Sequence, residues 1–296
     1  MAKIRVNLFG PTSVVLTDGT VVRDVGGIKP RQVLEILALS LGSPVSKDRL
    51  VEQLWGDNAP RTVTATLESY VSLLRRRIGV ARGRGSALAT TSNGYLLDPA
   101  QVEVDVHEFA RQVAPSAETA EASLRRTEAA LRGARGDLLA SEPYAEWATD
   151  ERVHFDALVV QACNRAAGQA LTLGEAGLAV ELARRAIGVD AIAEASWQLL
   201  IQGLAASGAR SEALRAYLDL RSTLVEALGT EPSAASRELY LELLGEEHAE
   251  SAPSDGVNEV RTLLNLLRDA LDGLPDIDLS RNDRHTTHAE RLVGAA

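Results

Sequence analysis

Cysteine is almost absent from this chain. Cys163 stands alone among 296 residues, which excludes an internal disulfide and any zinc site built from several thiolates. It lies in a strongly helical apolar stretch and reads as a buried structural thiol rather than a redox sensor. Long hydrophobic runs are missing too: no stretch approaches the roughly 18 apolar residues of a membrane span. Met1–Val6 carries no signal-peptide core, so the chain is expected in the cytoplasm, away from membranes. The five histidines, His107, His154, His248, His285 and His288, are scattered without metal-ligand spacing, and no nucleophile elbow occurs. No Gly-x-x-x-x-Gly-Lys-Ser/Thr run is present either, since Gly83-Arg84-Gly85-Ser86 lacks the lysine. The expectation is a chain that is not an enzyme and has no catalytic residue, cofactor or metal.

A basic overall balance is also lacking, as the net charge is −10. The charge is divided, however. Residues 1–100 hold 13 Lys/Arg against 8 Asp/Glu, whereas residues 101–296 hold 18 against 33. Between Arg61 and Arg84 stand six arginines and one acid, Glu68. That is the footprint of one nucleic-acid-binding module on an acidic body. An arginine run alone could equally be a solvated helix face, so the flanking architecture decides.

What is present is richest between Pro44 and Arg77. Ser46 is placed to cap a helix whose apolar residues Leu50, Val51, Leu54 and Trp55 share a face, and Gly56 stops it. Asp57-Asn58-Ala59-Pro60 starts a second helix, whose inner face is Val63, Leu67, Val71 or Tyr70, Leu74 and Ile78. The opposite face reads Thr62, Thr66, Ser69, Ser72, Arg75 and Arg76. Short hydroxyls suit base edges and guanidinium groups suit phosphates.

Around this pair the chain reads as a winged helix-turn-helix behind a small antiparallel sheet. Residues 3–8 alternate as a strand, and Asp18-Gly19 joins Ser13–Leu16 to Thr20–Val22 as a hairpin. Lys29-Pro30-Arg31 opens a helix running through Leu41. Ser92-Asn93-Gly94 joins Ala87–Thr91 to Tyr95–Asp98 as a second hairpin. From about Asp105 the pattern is helical. Gly174 and Gly208 each end one helix and begin another, 34 residues apart. On that period Ala179 matches Ala213, Val180 matches Leu214 and Cys163 matches Trp197, as in tetratricopeptide-type helical hairpins. The fold class is therefore mainly α, with three segments. Residues 1–100 form the winged-helix domain and 101–245 a tetratricopeptide-like domain. Residues 246–296 comprise an acidic linker (Glu246–Gly256), an amphipathic stripe (Val260, Leu263, Leu264, Leu267, Leu271) and a polar tail.

Eight pieces, in order and at the right spacing, resemble the SARP family of actinobacterial transcriptional activators, which join an OmpR-type winged helix to a bacterial transcriptional activation domain. In the first domain they are Pro44–Leu50, Leu54–Asp57, Leu67–Arg76 and Gly94–Leu97. In the second they are Asp105–Phe109, Ala134–Leu139, Tyr144–Trp147 with Glu151-Arg152, and Leu228–Ser233. The resemblance covers roughly residues 3–244 and is to the short form, without a nucleotide-binding module.

The resemblance implies protomers side by side on direct repeats of double-stranded DNA, as a homodimer on DNA. It also implies recruitment of RNA polymerase holoenzyme through its sigma factor and control of a secondary-metabolite gene cluster. Thr66, Glu68, Ser69, Ser72 and Leu73 would face the bases and Arg75 and Arg76 the backbone, with Thr62 also among the DNA-binding residues. Thr91, Asn93 and Tyr95 would form the wing, Lys29 and Arg31 would meet phosphate, and Gly56, Asp57 and Asn58 would be offered to polymerase. Leu73 and Leu96 depart from the family, which usually has basic or polar residues there. Glu68 is unusual at such a place: it could accept from a cytosine amino group or point sideways. A repressor with the same module and a helical interaction scaffold are the alternative functions.

Overall fold

The computed structural model describes residues 3–80 and 86–250. The loop arginines Arg82 and Arg84, the amphipathic stripe, the polar tail and its histidine pair lie outside the described residues. Residues 3–240 pack as one unit. Its N-terminal part is built from β1 (Ile4–Asn7), β2 (Ser13–Val15), β3 (Val21–Val22), α1 (Ile28–Leu39), β4 (Val45–Ser46), α2 (Lys47–Trp55), α3 (Val63–Arg77), β5 (Leu88–Thr90), β6 (Gly94–Leu97) and β7 (Val102–Val104). The expected hairpins are β2–β3 and β5–β6. The first sheet, however, has the order β3-β2-β1-β7, and β7 runs parallel to β1, pairing Val6 with Val104. The sheet is thus mixed, not purely antiparallel. Parallel neighbours need a long crossover, and here the whole winged helix supplies it, so no local turn signal marks β7.

The winged helix is packed as its periodicity requires. Val33, Leu34 and Leu37 of α1, Leu50 and Leu54 of α2, and Leu67, Val71 and Leu74 of α3 are buried together with Leu88 and Leu97. Ser46 Oγ accepts from the Arg49 amide at 3.1 Å, and Gly56 N–H closes the helix on Glu52 O, as the caps predict. Val71 rather than Tyr70 occupies the core; Tyr70 stacks on Trp55, with ring centroids 6.2 Å apart.

The helical part comprises α4 (Asp105–Val113), α5 (Ala120–Gly133), α6 (Thr149–Thr172), α7 (Ala176–Val189), α8 (Glu194–Ala206), α9 (Arg210–Leu228) and α10 (Ala234–Glu250). The expected linker from Glu246 therefore begins as helix. The 34-residue period has a structural counterpart. Gly174 and Gly208 adopt φ 77° and 78°, in the left-handed region, and the next amides, of Glu175 and Ala209, return to Ala170 O and Leu204 O. Ala179 and Ala213 are both fully buried, so each of the matched helices turns a methyl group into the core. Cys163 is fully buried, and burial pushes its thiol up to about 11, so it is structural and unreactive at neutral pH. Among the described residues no helix is long and apolar enough to cross a membrane.

Polar groups join the two parts. Asp105 opens α4, and its carboxylate accepts from the Leu8, Phe9 and Val106 amides, tying the end of β1 to the helices. His107 Nε2 lies 2.9 Å from Ala38 O of α1. Glu142 receives Arg31 Nη2 at 2.5 Å and Gln32 Nε2 at 2.7 Å, while Arg152 donates to the carbonyls of Leu138, Glu142 and Ala145. Beside this clasp Glu35 is completely buried. One of its oxygens accepts from Thr12 Oγ1 at 2.5 Å, and the other, Oε2, has no hydrogen-bond partner among the described residues.

Burial is the main cause that raises the Glu35 carboxyl to about 7, opposed by Thr12. The folded chain therefore holds a proton that the unfolded chain has released once pH passes 4.5. Stability should fall as pH rises from 4.5 to about 7 and then level off, by on the order of 3 kcal/mol from this group. Glu35→Gln should flatten that window and melt higher than the parent at pH 8. A lower melting temperature at pH 8, or an unchanged pH slope, would show that the ionised carboxylate is accommodated.

Candidate nucleic-acid interface

The face of α3 away from Leu67, Val71 and Leu74 is open to solvent. It carries Ala65, Glu68, Ser69 and Arg76, with Ser72 half-buried among them. Arg61 and Thr62 are exposed just ahead of the helix. Thr66 is half-buried, and its hydroxyl is folded back on Thr62 O at 3.0 Å; Ser69 Oγ likewise returns to Ala65 O at 2.9 Å. Glu68 lies in the middle of the stripe. Its Oε1 accepts from Lys47 Nζ at 2.6 Å, a bond that pushes the ammonium above the usual lysine value. Its Oε2 makes no hydrogen bond within the described residues. Glu68 thus reaches sideways with one oxygen and presents the other to solvent.

The wing is the β5–β6 hairpin. Asn93 is exposed and Thr91 half-buried at its tip; Asn93 O accepts the Lys47 amide at 2.9 Å, so the tip is pinned to the start of α2. Gly94 is obligatory for this closeness, because a Cβ there would lie 1.9 Å from Val45 O. Lys47 Nζ also stands 6.0 Å from the centre of the Tyr95 ring.

Four residues expected at DNA are placed elsewhere. Arg75 is buried, not outward: Nε and Nη2 donate to Leu88 O at 3.0 and 2.8 Å, and Nη2 also reaches Thr90 Oγ1 at 2.8 Å. It is a strut between α3 and the wing. Tyr95 is buried in the core beneath the wing, which also pushes its phenol up. Arg31 belongs to the Glu142 clasp. Leu73 packs against Gly26, where an added Cβ would come within 2.5 Å of its Cδ2, so it holds the segment before α1. A straight helical wheel assigns Arg75 and Leu73 to the outer face because it ignores that the wing and the Gly26 segment flank α3. Lys29 is a fifth case in part. Its ammonium donates to Leu54 O, at the end of α2, and lies 5.7 Å from the Trp55 ring centre.

Some residues escaped sequence reasoning. Arg49 and Arg61 are exposed and, like Arg76, have no carboxylate partner among the described residues; Arg77 pairs loosely with Asp24 at 3.6 Å. Arg49 stands in the first turn of α2, opposite Leu50 and Leu54, a position the periodicity marks as outer. Gly56, Asp57 and Asn58 form an exposed single-turn 3-10 helix. It edges a cleft of about 550 Å³ shared with Trp55, Trp147 and the 95% exposed Tyr144.

The two neighbouring arginines should behave in opposite ways. Arg75→Ala leaves Leu88 O buried without its donor and should cost about 1–3 kcal/mol of stability, with the salt dependence of DNA binding unchanged. Arg76→Ala should leave thermal melting unchanged and lower the log–log salt slope by about one. Calorimetry and salt titrations on both variants check this; a slope change with Arg75→Ala alone would reverse the assignment.

Comparison with known proteins agrees with this architecture. Residues 27–97 match the family described as transcriptional regulatory protein, C terminal, and residues 104–244 match the bacterial transcriptional activator domain. The regulatory protein DnrI of Streptomyces peucetius is 32% identical over 257 residues, covering 81% of this chain and 92% of that protein. The transcriptional regulator RedD of Streptomyces coelicolor is 26% identical over 261 residues, covering 85% of this chain and 73% of that protein. Among solved structures, Mycobacterium tuberculosis EmbR in complex with a low-affinity phosphopeptide superposes with a TM-score of 0.72 at 27% identity, covering 91% of this chain and 71% of that one. With a winged helix, a helical activator domain and these relatives in one chain, the protein belongs to the SARP family of DNA-binding transcriptional regulators.

Proposed function

We propose that this chain activates transcription by reading DNA with the outer stripe of α3. In this reading it occupies tandem direct repeats as side-by-side protomers. The observation that supports the reading best is the stripe itself: Ala65, Glu68, Ser69, Ser72 and Arg76 on the outer face, with Arg61 and Thr62 ahead of it. A methyl, a carboxylate and hydroxyls are base-edge chemistry, and the terminal guanidinium groups are phosphate chemistry. Arg49, Arg61 and Arg76 supply the backbone contacts; Thr91 and Asn93 lie along the minor groove. Lys29, engaged with Leu54 O and Trp55, has at most a share in phosphate binding.

Glu68 Oε2 reads a cytosine amino group, with Lys47 fixing its rotamer. The exposed Gly56–Asn58 turn is the surface offered to RNA polymerase holoenzyme through its sigma factor. Activation and control of a secondary-metabolite gene cluster rest on family membership. A repressor would use the same reading head without that turn, so substitutions at Asp57 and Asn58 separate the two: loss of transcription with DNA binding intact marks an activator.

The test is recovery of genomic fragments by the purified protein, followed by titration of one site against salt. Discrete fragments with two direct repeats about one helical turn apart are expected. Diffuse recovery without a shared sequence would overturn the specific-regulator reading. Within a recovered site, Glu68→Ala should change preference at one base pair by about 1–3 kcal/mol. Equal losses at every base variant would remove Glu68 from base reading.

A further inference from the structure

A cavity of about 640 Å³ lies between the N-terminal sheet and the first two helices of the helical part, away from α3 and the wing. Nothing in DNA reading uses it, and its size is that of small-molecule sites. The half-buried Phe9 lines one side, backed by the almost fully buried Phe109, with ring centroids 6.1 Å apart. The opposite wall is kept low by Ala129, Ala130 and Gly133 of α5, and a Cβ placed on Gly133 would meet nothing within 4 Å.

Three guanidinium groups border this space. Arg5 is held loosely by Glu103 at 3.7 Å, and Arg111 is bonded to Glu108. Asp105, which also lines the cavity, turns its carboxylate to three backbone amides. Arg135 remains: it is exposed, and its side chain has no hydrogen bond or ion pair among the described residues.

We propose that this cavity is a binding site for a small organic anion, with a flat apolar body against Phe9 and a carboxylate, sulfonate or phosphate on Arg135. A planar guanidinium receives such oxyanions in paired hydrogen bonds, and the Phe9 edge with the low Ala129–Gly133 wall beside Arg135, its guanidinium unpaired among the described residues, selects an anion with an apolar body over an inorganic one. The ligand would bridge β1 and the loop after it to α4 and α5, so its binding stabilises the joint that Asp105 makes.

The probe is 8-anilinonaphthalene-1-sulfonate, which carries two aromatic groups and one sulfonate. Fluorescence titration of the full chain should saturate, and both Arg135→Ala and Gly133→Leu should weaken the site at least tenfold. Arg135 is exposed and Gly133 ends a helix with open space beside it, so both variants should melt like the parent. 1-Naphthoate should displace the dye, and inorganic phosphate at the same concentration should not. Equal dye binding by parent and variants places the probe elsewhere and overturns the proposal. Weakening by only one variant, or displacement by phosphate alone, overturns the combined apolar and anionic chemistry.

Discussion

The clasp on Glu142 is the most heavily bonded polar link between the winged helix and the helical body, beside those of Asp105 and His107. Glu142 takes both Arg31 and Gln32 from α1, and Arg152 ties down the loop that carries it. Arg31 is about a quarter exposed, and Glu142 keeps the Gln32 donor when Arg31 is removed, so the pair is partly screened rather than sealed from water. Helix α1 is doubly committed: Val33, Leu34 and Leu37 form the winged-helix core, while Arg31, Gln32 and Glu35 serve the joint. Helix α1 thus belongs to the winged-helix core on one side and to the joint on the other.

Rigidity of the reading head has a similar source. The Arg75 guanidinium on Leu88 O ties α3 to the wing, while the Asn93–Lys47 backbone bond and the Gly94–Val45 approach, which admits no side chain, tie the wing to β4 and the start of α2. Such pre-ordering limits the conformational entropy lost on binding. It also shows why arginine count is a poor measure of DNA contact. Arg75 and Arg76 are adjacent and chemically identical, and one is a beam while the other faces solvent.

Net charge sharpens this distinction. An acidic body attached to a basic module is repelled by DNA in most orientations and attracted in one. Residues 101–296 carry 33 acids against 18 bases, so a polyanion is repelled by that part of the chain and attracted by residues 1–100. The cost is a dependence on few cations, which makes each exposed arginine of the head matter.

The sequence by itself determined what depends on local spacing. The caps at Ser46 and Gly56, the inner faces of α2 and α3, the hairpins at Asp18-Gly19 and Asn93-Gly94, and the 34-residue glycine period all follow from 3.6-residue and 2-residue repeats and turn chemistry. The family signature could be read from motif order for the same reason. Only the tertiary structure decided which outer residues stay outer. Arg75, Tyr95, Leu73 and Arg31 each look outward on an isolated element and are covered by a neighbour distant in sequence: the wing, the core below it, the Gly26 segment and the Glu142 loop. The parallel β1–β7 pair, nearly a hundred residues apart, was hidden likewise. Periodicity reports one helix or strand against a generic inside and outside; which element provides that inside is fixed by long-range packing, and no local pattern encodes it.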